Sequence, residues 1–165
     1  MELKELITKI EQWAIDRELD KKATVEAQSI KTAEEMAELI IGISKDNIEV
    51  IKDSIGDVFV TLVIGNMICK EIEIREVLRK IEHKDVKTLS SCGKIYLIHE
   101  LGISIAMITI YGYLHNMTFD LLKNLMAIAD IYNLDFTDCV QYAYNEIKDR
   151  KGKTINGQFV KEADL

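Results

Sequence analysis

The sequence predicts an all-α protein built as a helical bundle, and three observations carry that prediction. Proline, which disrupts a helix interior more than any other residue, is absent from the 165 residues. Residues that favour helices, such as Glu, Lys, Leu and Ala, are abundant. Apolar residues recur at spacings of three and four, as in Leu3, Leu6, Ile7 and Ile10. We therefore expect one helical domain over residues 1–165.

The helical segments follow from this periodicity. Their expected ranges are 2–19, 24–44, 47–70, 73–83, 95–114, 118–131 and 137–148. Asp46 or Asn47 is expected to cap the third segment, and Thr118 the sixth, because such side-chain oxygens accept hydrogen bonds from the first free N–H groups. Residues 85–91 are interpreted as a connection between helices.

The fifth segment, 95–114, is the most apolar stretch of the chain and is long enough to cross a bilayer. It also contains His99 and Glu100, which are costly in lipid. A central helix of a bundle, apolar on nearly every side, explains the same composition. We favour that interpretation and expect no membrane association.

Charge and cysteine content limit the class of protein. The formal net charge of −7 argues against an extended nucleic-acid-binding surface, although a bound metal could still attract a small anion. Cys69, Cys92 and Cys139 form no CxxC pair, so neither a zinc site nor a disulfide framework is expected. The N-terminal residues show no signal-peptide pattern. A cytoplasmic location is the expectation.

Two acidic groups stand out because each lies within an apolar helix. The first is Glu34, Glu35 and Glu38; the second is Asp53 and Asp57. Residues three and four apart share a helix face, so two antiparallel helices would bring both groups together in the core. Buried carboxylates repel one another unless a cation intervenes, and Mg²⁺ prefers such oxygen ligands. The alternative is that the acids face water beside lysines.

These residues resemble the MazG-like superfamily of all-α NTP pyrophosphohydrolases, which carries an EExxE motif followed by ExxD. The first motif is complete at Glu34, Glu35 and Glu38. The second departs from the pattern, because Ser54 stands where the family has Glu, three residues before Asp57. Asp53, one position earlier and on nearly the same face, is a candidate replacement.

The C-terminal part adds to the resemblance. The stretch 143–161 is similar to MazG-like proteins of phages and Gram-positive bacteria, as is Trp13 followed by Asp16 and Arg17. Phe159-Val160 is expected to anchor this polar tail. The resemblance covers residues 1–66 and 134–165 and implies a four-helix core. Residues 67–133 are either an insertion or a degenerate second helical hairpin.

The resemblance implies Mg²⁺-dependent hydrolysis of an NTP or dNTP to the monophosphate and pyrophosphate, with Mn²⁺ as an alternative metal. The implied metal ligands are Glu35, Glu38, Asp57 and, as a fourth ligand or a supporting group, Asp53. Glu34 would be a further ligand or the base that orients water. The implied substrate-binding residues are Asn145, Lys148, Arg150 and Lys151. Trp13 would either stack on the base or belong to the core.

The resemblance and the missing motifs also bear on assembly and on the alternative functions. Members of the superfamily usually form dimers or tetramers, so a homo-oligomer is implied. The alternative to an enzyme is a catalytically silent module of the same fold that binds a nucleotide or a protein, and Ser54 is its main support. No P-loop glycine pattern and no Glu-x-x-His motif occurs, which disfavours a Walker-type NTPase and a ferritin-like di-iron site.

Overall fold

The computed structural model describes residues 1–164 and confirms the all-α class, with one small β-hairpin added. The helices are α1 (Leu3–Asp16), α2 (Leu19–Lys22), α3 (Val25–Ser44), α4 (Ile48–Cys69), α5 (Ile74–Lys80), α6 (His83–Ser90), α7 (Lys94–Tyr111), α8 (His115–Ile131) and α9 (Phe136–Ile147). The antiparallel strands are β1 (Gly152–Ile155) and β2 (Gln158–Lys161), followed by a short 3₁₀ helix at Glu162–Asp164.

Helix α4 is the centre of the molecule. It packs against α1, α2, α3, α8 and α9, and most of its residues are buried. Its pairing with α3 is antiparallel: Gln28 donates to the carbonyl oxygen of Thr61 at 3.1 Å near one end, while Gly42 lies against Ile51 at the other. The two acidic groups predicted from the sequence therefore lie on neighbouring helices.

Helix α9 approaches α4 at a glycine. A Cβ placed on Gly56 would lie 2.3 Å from the carbonyl oxygen of Cys139 and 2.6 Å from the Cβ of Ala143. Any side chain at position 56 would therefore push the two helices apart. This close approach brings the C-terminal end of α9 and the turn that follows it beside Asp57.

Helix α1 holds the turn that follows α9. The indole N–H of Trp13 donates to the carbonyl oxygen of Ile147 at 2.8 Å. The guanidinium of Arg17 lies 4.4 Å from the Trp13 ring centre and donates through Nε to the carbonyl oxygen of Arg150 at 3.0 Å. The Phe159 ring packs edge-on against Trp13, with centroids 5.3 Å apart, so the expected tail anchor is confirmed.

Helices α7 and α8 form a second helical hairpin. The loop between them is fixed by Tyr113, which is fully buried, lies against Gly65 and shares a 2.7 Å hydrogen bond with the Thr32 hydroxyl. The second hairpin thereby contacts both helices of the first.

Two of the local predictions are wrong. Residues 85–91 are mostly helical, in α6, because Val86 packs into the core and Asp130 of α8 accepts from Lys87 and Ser90. Thr118 is not a cap; it lies inside α8, fully buried. The Asn47 cap is confirmed, since its side chain accepts from the N–H of Val50.

The prediction of a buried α7 is also wrong. Over the fully described helix, the buried residues are Leu97, Leu101 and Ile108, which face α3 and α8. The opposite face is exposed because no other described element covers it. By length and composition α7 is also the one helix of residues 1–164 that could cross a membrane, a test that helices of soluble proteins can pass as well.

Candidate nucleotide and cation site

A pocket of about 330 Å³ lies between α1, α3, α4 and the β-hairpin. Its walls differ in chemistry. The apolar wall includes Trp13, Leu19, Ile64 and Phe159. The acidic wall is formed by Glu34, Glu35 and Asp57. The basic side is formed by Lys31, Arg150 and Lys161.

The acidic wall begins on α3. Glu35 is only 8% exposed, and its carboxylate is paired with the Lys31 ammonium at 2.7 Å. Glu34 is exposed at the rim and accepts from the same ammonium at 3.0 Å. One lysine is therefore shared by two carboxylates and balances the charge of only one of them.

Asp57 on α4 faces this pair from the other side. Burial, together with the charges of Glu35 and Asp53, raises the pKa of its carboxyl to about 7, against the opposing effect of Arg150. Burial and the carboxylates of Glu146 and Glu35 also raise the pKa of Asp53. The nearby positive charges are therefore too few to balance the negative charges of these carboxylates.

A divalent cation would supply that charge, and the carboxylate donors suit a hard cation such as Mg²⁺. Across residues 1–164, however, no three His, Cys, Asp or Glu side chains stand close enough together to hold an ion as they are placed. Glu35 is instead paired with Lys31. A cation site here would require Glu35 to turn from Lys31 toward Asp57.

The structure separates the predicted site residues into two sets. Those that line the pocket are Trp13, Glu34, Glu35, Asp57 and Arg150. Asp53 is half-buried and interacts electrostatically with Glu35 and Asp57. Those that are exposed and outside the lining are Glu38, Asn145, Lys148 and Lys151. Their roles stay predictions.

Arg150 owes its place to the backbone around it. Its carbonyl oxygen accepts two hydrogen bonds from the Arg17 guanidinium, and the hydroxyl of Thr154 donates to the carbonyl oxygen of Arg17 at 3.1 Å. The charge of Arg150 reaches both Asp53 and Asp57. Arg17 is thus a positioning residue that the sequence pattern alone did not assign.

Trp13 is mainly a core residue. It is 7% exposed, its N–H is bonded, and Arg17 covers one ring face while Phe159 packs edge-on against it. The part that reaches the pocket is a rigid apolar wall.

The sequence interpretation missed Gln28, Lys31 and Lys161. Lys31 had a signal, because it precedes Glu34 and Glu35 by three and four residues and so shares their helix face. Gln28 lies one further turn away on the same helix and is buried. The sequence contains no signal for Lys161, because its pairing with Gly152 across the β-hairpin is what places it at the pocket.

The fold and this pocket define a small all-α protein with an acidic pocket closed by a C-terminal β-hairpin. The chain is 35% identical over 162 residues to a protein of Haemophilus phage HP1 (strain HP1c1) described as an uncharacterized 18.2 kDa protein in the rep-hol intergenic region. The match spans 86% of this chain and 98% of the phage protein. The chain therefore belongs to the family of this phage protein. It matches no protein-family model and no solved structure.

Proposed function

We propose that this protein is a divalent-cation-dependent nucleotide pyrophosphohydrolase of the cytoplasm. The observation that carries the proposal is the meeting of an acidic, a basic and an apolar wall in one pocket of about 330 Å³. A nucleoside triphosphate presents the complementary groups: a flat base, a chain of anionic phosphates and, with them, a bound cation. The resemblance to the MazG-like superfamily supports the same activity.

The walls suggest how the substrate would lie. The base would enter the apolar part against Trp13 and Phe159, because flat apolar rings are best desolvated there. The phosphates would extend toward Arg150 and Lys161, whose charges neutralise phosphate oxygens. Lys31 would move from Glu35 to the phosphates as Glu35 turns inward.

In the proposed reaction, the oxygen of a water molecule forms a bond to the α-phosphorus. The bond from the α-phosphorus to the bridging oxygen breaks, and pyrophosphate leaves with the electron pair. Glu34 would accept the proton of the attacking water. Asp57, Glu35 and Asp53 would hold Mg²⁺ or Mn²⁺, which when bound neutralises phosphate charge and polarises the reacting phosphoryl group.

A second candidate is a catalytically silent nucleotide-binding module of the same fold. Two observations favour it: Ser54 replaces the expected carboxylate, and no three acidic side chains of residues 1–164 are arranged to hold an ion. Such a module would bind nucleotide in the same pocket without turnover.

The test is product analysis across canonical and modified NTPs and dNTPs, with Mg²⁺, with Mn²⁺ and with EDTA. We expect monophosphate and pyrophosphate in equal amounts, formed only with the metal. If folded protein binds a nucleotide but releases no pyrophosphate with either metal, the silent module is correct and the enzyme proposal is wrong. Release of orthophosphate instead would contradict attack at the α-phosphorus.

A further inference from the structure

The pocket follows one face of α3 and one face of α4. Lining residues recur there every three or four positions: Gln28, Lys31 and Glu35 on α3, and Asp57, Thr61 and Ile64 on α4. Because the helices are antiparallel, Gln28 and Thr61 lie at one end, where they share a hydrogen bond, and the carboxylates lie at the other. The seven residues from Gln28 to Glu35 span about 10 Å along the helix. A base bound beside Gln28 would leave room for a sugar before the phosphates reach the charged end.

The side-chain amide of Gln28 is held in one orientation. Gln28 is buried, and its Nε2 donates to the backbone carbonyl oxygen of Thr61 at 3.1 Å. Turning the amide over would place Oε1 against that carbonyl oxygen, and neither of these two atoms can donate. Since Thr61 lies inside α4, its carbonyl group cannot move aside. The orientation of the Gln28 amide is therefore set by the fold.

The Oε1 atom of Gln28 is the part of this amide that the fold leaves unused. Within the described part of the chain, no donor reaches it, and it is not sealed off by protein as the unpaired oxygens of Asp20 and Asn124 are. Gln28 lines the pocket, so the open side of Oε1 faces that space. A glutamine that served only to join α3 to α4 would need its N–H alone.

The hydroxyl of Thr61 presents the same polarity. It donates its hydrogen to the carbonyl oxygen of Val58 at 2.8 Å, so an acceptor lone pair remains on a side chain that also lines the pocket. An amino group carries two hydrogens and can donate to both oxygens. A carbonyl oxygen in the same place would meet two acceptors. The second Nε2 hydrogen of Gln28 can meet a ring nitrogen beside the amino group, as amides do with adenine.

We propose that Gln28, assisted by Thr61, selects nucleotides whose base carries an exocyclic amino group, such as cytosine or adenine, over the oxo counterparts uracil and hypoxanthine. The apolar wall would bind either kind of base, and the two oxygens would distinguish them. This inference rests on the proposed function, because it takes the pocket to hold a nucleotide. It concerns recognition of the base and not the cleavage step.

Calorimetry with uncleavable nucleotides tests the selection without turnover. The probes are the α,β-methylene analogues of CTP and UTP and of ATP and ITP, in ribo and deoxyribo forms, with Mg²⁺. Each pair differs in the amino or oxo group of the base and keeps the phosphate charge. In a pair that binds, we expect the amino member to bind about tenfold more tightly, the effect of one hydrogen bond.

Gln28→Met tests the residue itself, because methionine keeps the length of the side chain but has no acceptor oxygen. The affinity ratio should fall to about one, through weaker binding of the amino member alone. Gln12→Met is the matched control, since Gln12 is exposed on α1 and outside the pocket lining, and it should keep the wild-type ratio. Thr61→Val, which keeps the side-chain shape, should lower the ratio in part and replaces Gln28→Met if that variant does not fold.

Equal affinities within each pair for the wild type would overturn the selection, as would an unchanged ratio in Gln28→Met. The proposed reaction is judged separately by pyrophosphate release from the cleavable nucleotides. Release from CTP and UTP with equal kcat/KM would support the reaction and contradict the selection. An amino preference in binding without pyrophosphate release would support the selection and contradict the reaction, and no binding of any probe would contradict both.

Discussion

The two helical hairpins of this protein, α3–α4 and α7–α8, each contain one strongly apolar helix but bury it to different extents. Helices α4 and α7 are both strongly apolar. The first is surrounded by five helices and carries Asp53 and Asp57 into a half-buried site. The second has no aspartate and leaves Ile95, Ile103 and Ile110 in solvent.

Each hairpin breaks a rule of stable folding at one place. The first gathers carboxylates where water is scarce, and the second leaves a large apolar surface uncovered. Natural sequences tend to break such rules where function requires it. The comparison teaches that a strongly apolar helix can either be surrounded by other helices or keep one apolar face in solvent, depending on what the rest of the fold packs against it.

The largest expected effect comes from removing the carboxylate of Asp57 in the first hairpin. Asp57→Asn should lower turnover several hundredfold, about 3–4 kcal/mol of transition-state stabilisation, because the buried ligand charge is lost. Pyrophosphate release measures it. Asp120→Asn is the control, since Asp120 lies exposed on α8 of the second hairpin, and it should keep normal turnover. Equal losses in both variants would remove the distinction between the hairpins.

The second largest effect is expected from disturbing the packing of α9 on α4. Gly56→Ala should lower the free energy of unfolding by about 1–3 kcal/mol, as overpacking of a filled core does, because its Cβ would lie 2.3 Å from the Cys139 carbonyl oxygen. Urea denaturation measures the loss. An unchanged stability would mean that the two helices are not in close contact.

A smaller effect is expected from the residue that positions Arg150. Arg17→Met keeps an apolar chain beside Trp13 but removes the hydrogen bonds to the Arg150 carbonyl oxygen. The KM for nucleotide should rise about tenfold, roughly 1.4 kcal/mol, with kcat changed less. Steady-state kinetics separates the two constants. A loss of stability with an unchanged KM would limit Arg17 to a structural role.

The smallest effect has the opposite sign and lies in the second hairpin. Gly102→Ala should raise the free energy of unfolding by about 0.5–1 kcal/mol. The reason is the open space at position 102. Urea denaturation of the variant and the wild type measures the difference. Destabilisation would show that this glycine is required within one chain.

The sequence predicted the first hairpin better than the second. Helix α3, expected over 24–44, spans Val25–Ser44, and α4, expected over 47–70, spans Ile48–Cys69. Local periodicity is enough to predict these two helices, because apolar and acidic residues occupy different faces of each one. Periodicity shows only that a face is apolar, not what covers it, and for this reason the exposure of α7 was missed.

The candidate site, like the fold, could be predicted from the sequence only in part. Glu35 and Asp57 follow from helix spacing and lie in the pocket. Glu38 has the right spacing but is exposed, because the acidic strip on α3 is wider than the contact with α4. Arg150 was implied by the resemblance, although its place depends on a hydrogen bond from Arg17. Lys161 depends on the pairing of two strands, a contact that leaves no local signal in the sequence.

The central claim is that the first hairpin needs a cation, and thermal melting with and without Mg²⁺ tests it most directly. Asp57 has a folded pKa of about 7 against an ordinary value of 3.8. Its contribution to stability is therefore present at low pH and lost as the pH rises through 7. Without metal, the wild type should melt at a lower temperature at pH 8 than at pH 5.5.

Adding Mg²⁺ at pH 8 should restore the melting temperature, because an ion that binds only the folded state stabilises it. Asp57→Asn should show a weaker pH dependence and little response to Mg²⁺, whereas Asp120→Asn should behave like the wild type. If Mg²⁺ and Mn²⁺ leave the wild-type melting temperature unchanged at pH 8, the first hairpin holds no cation and the account is wrong.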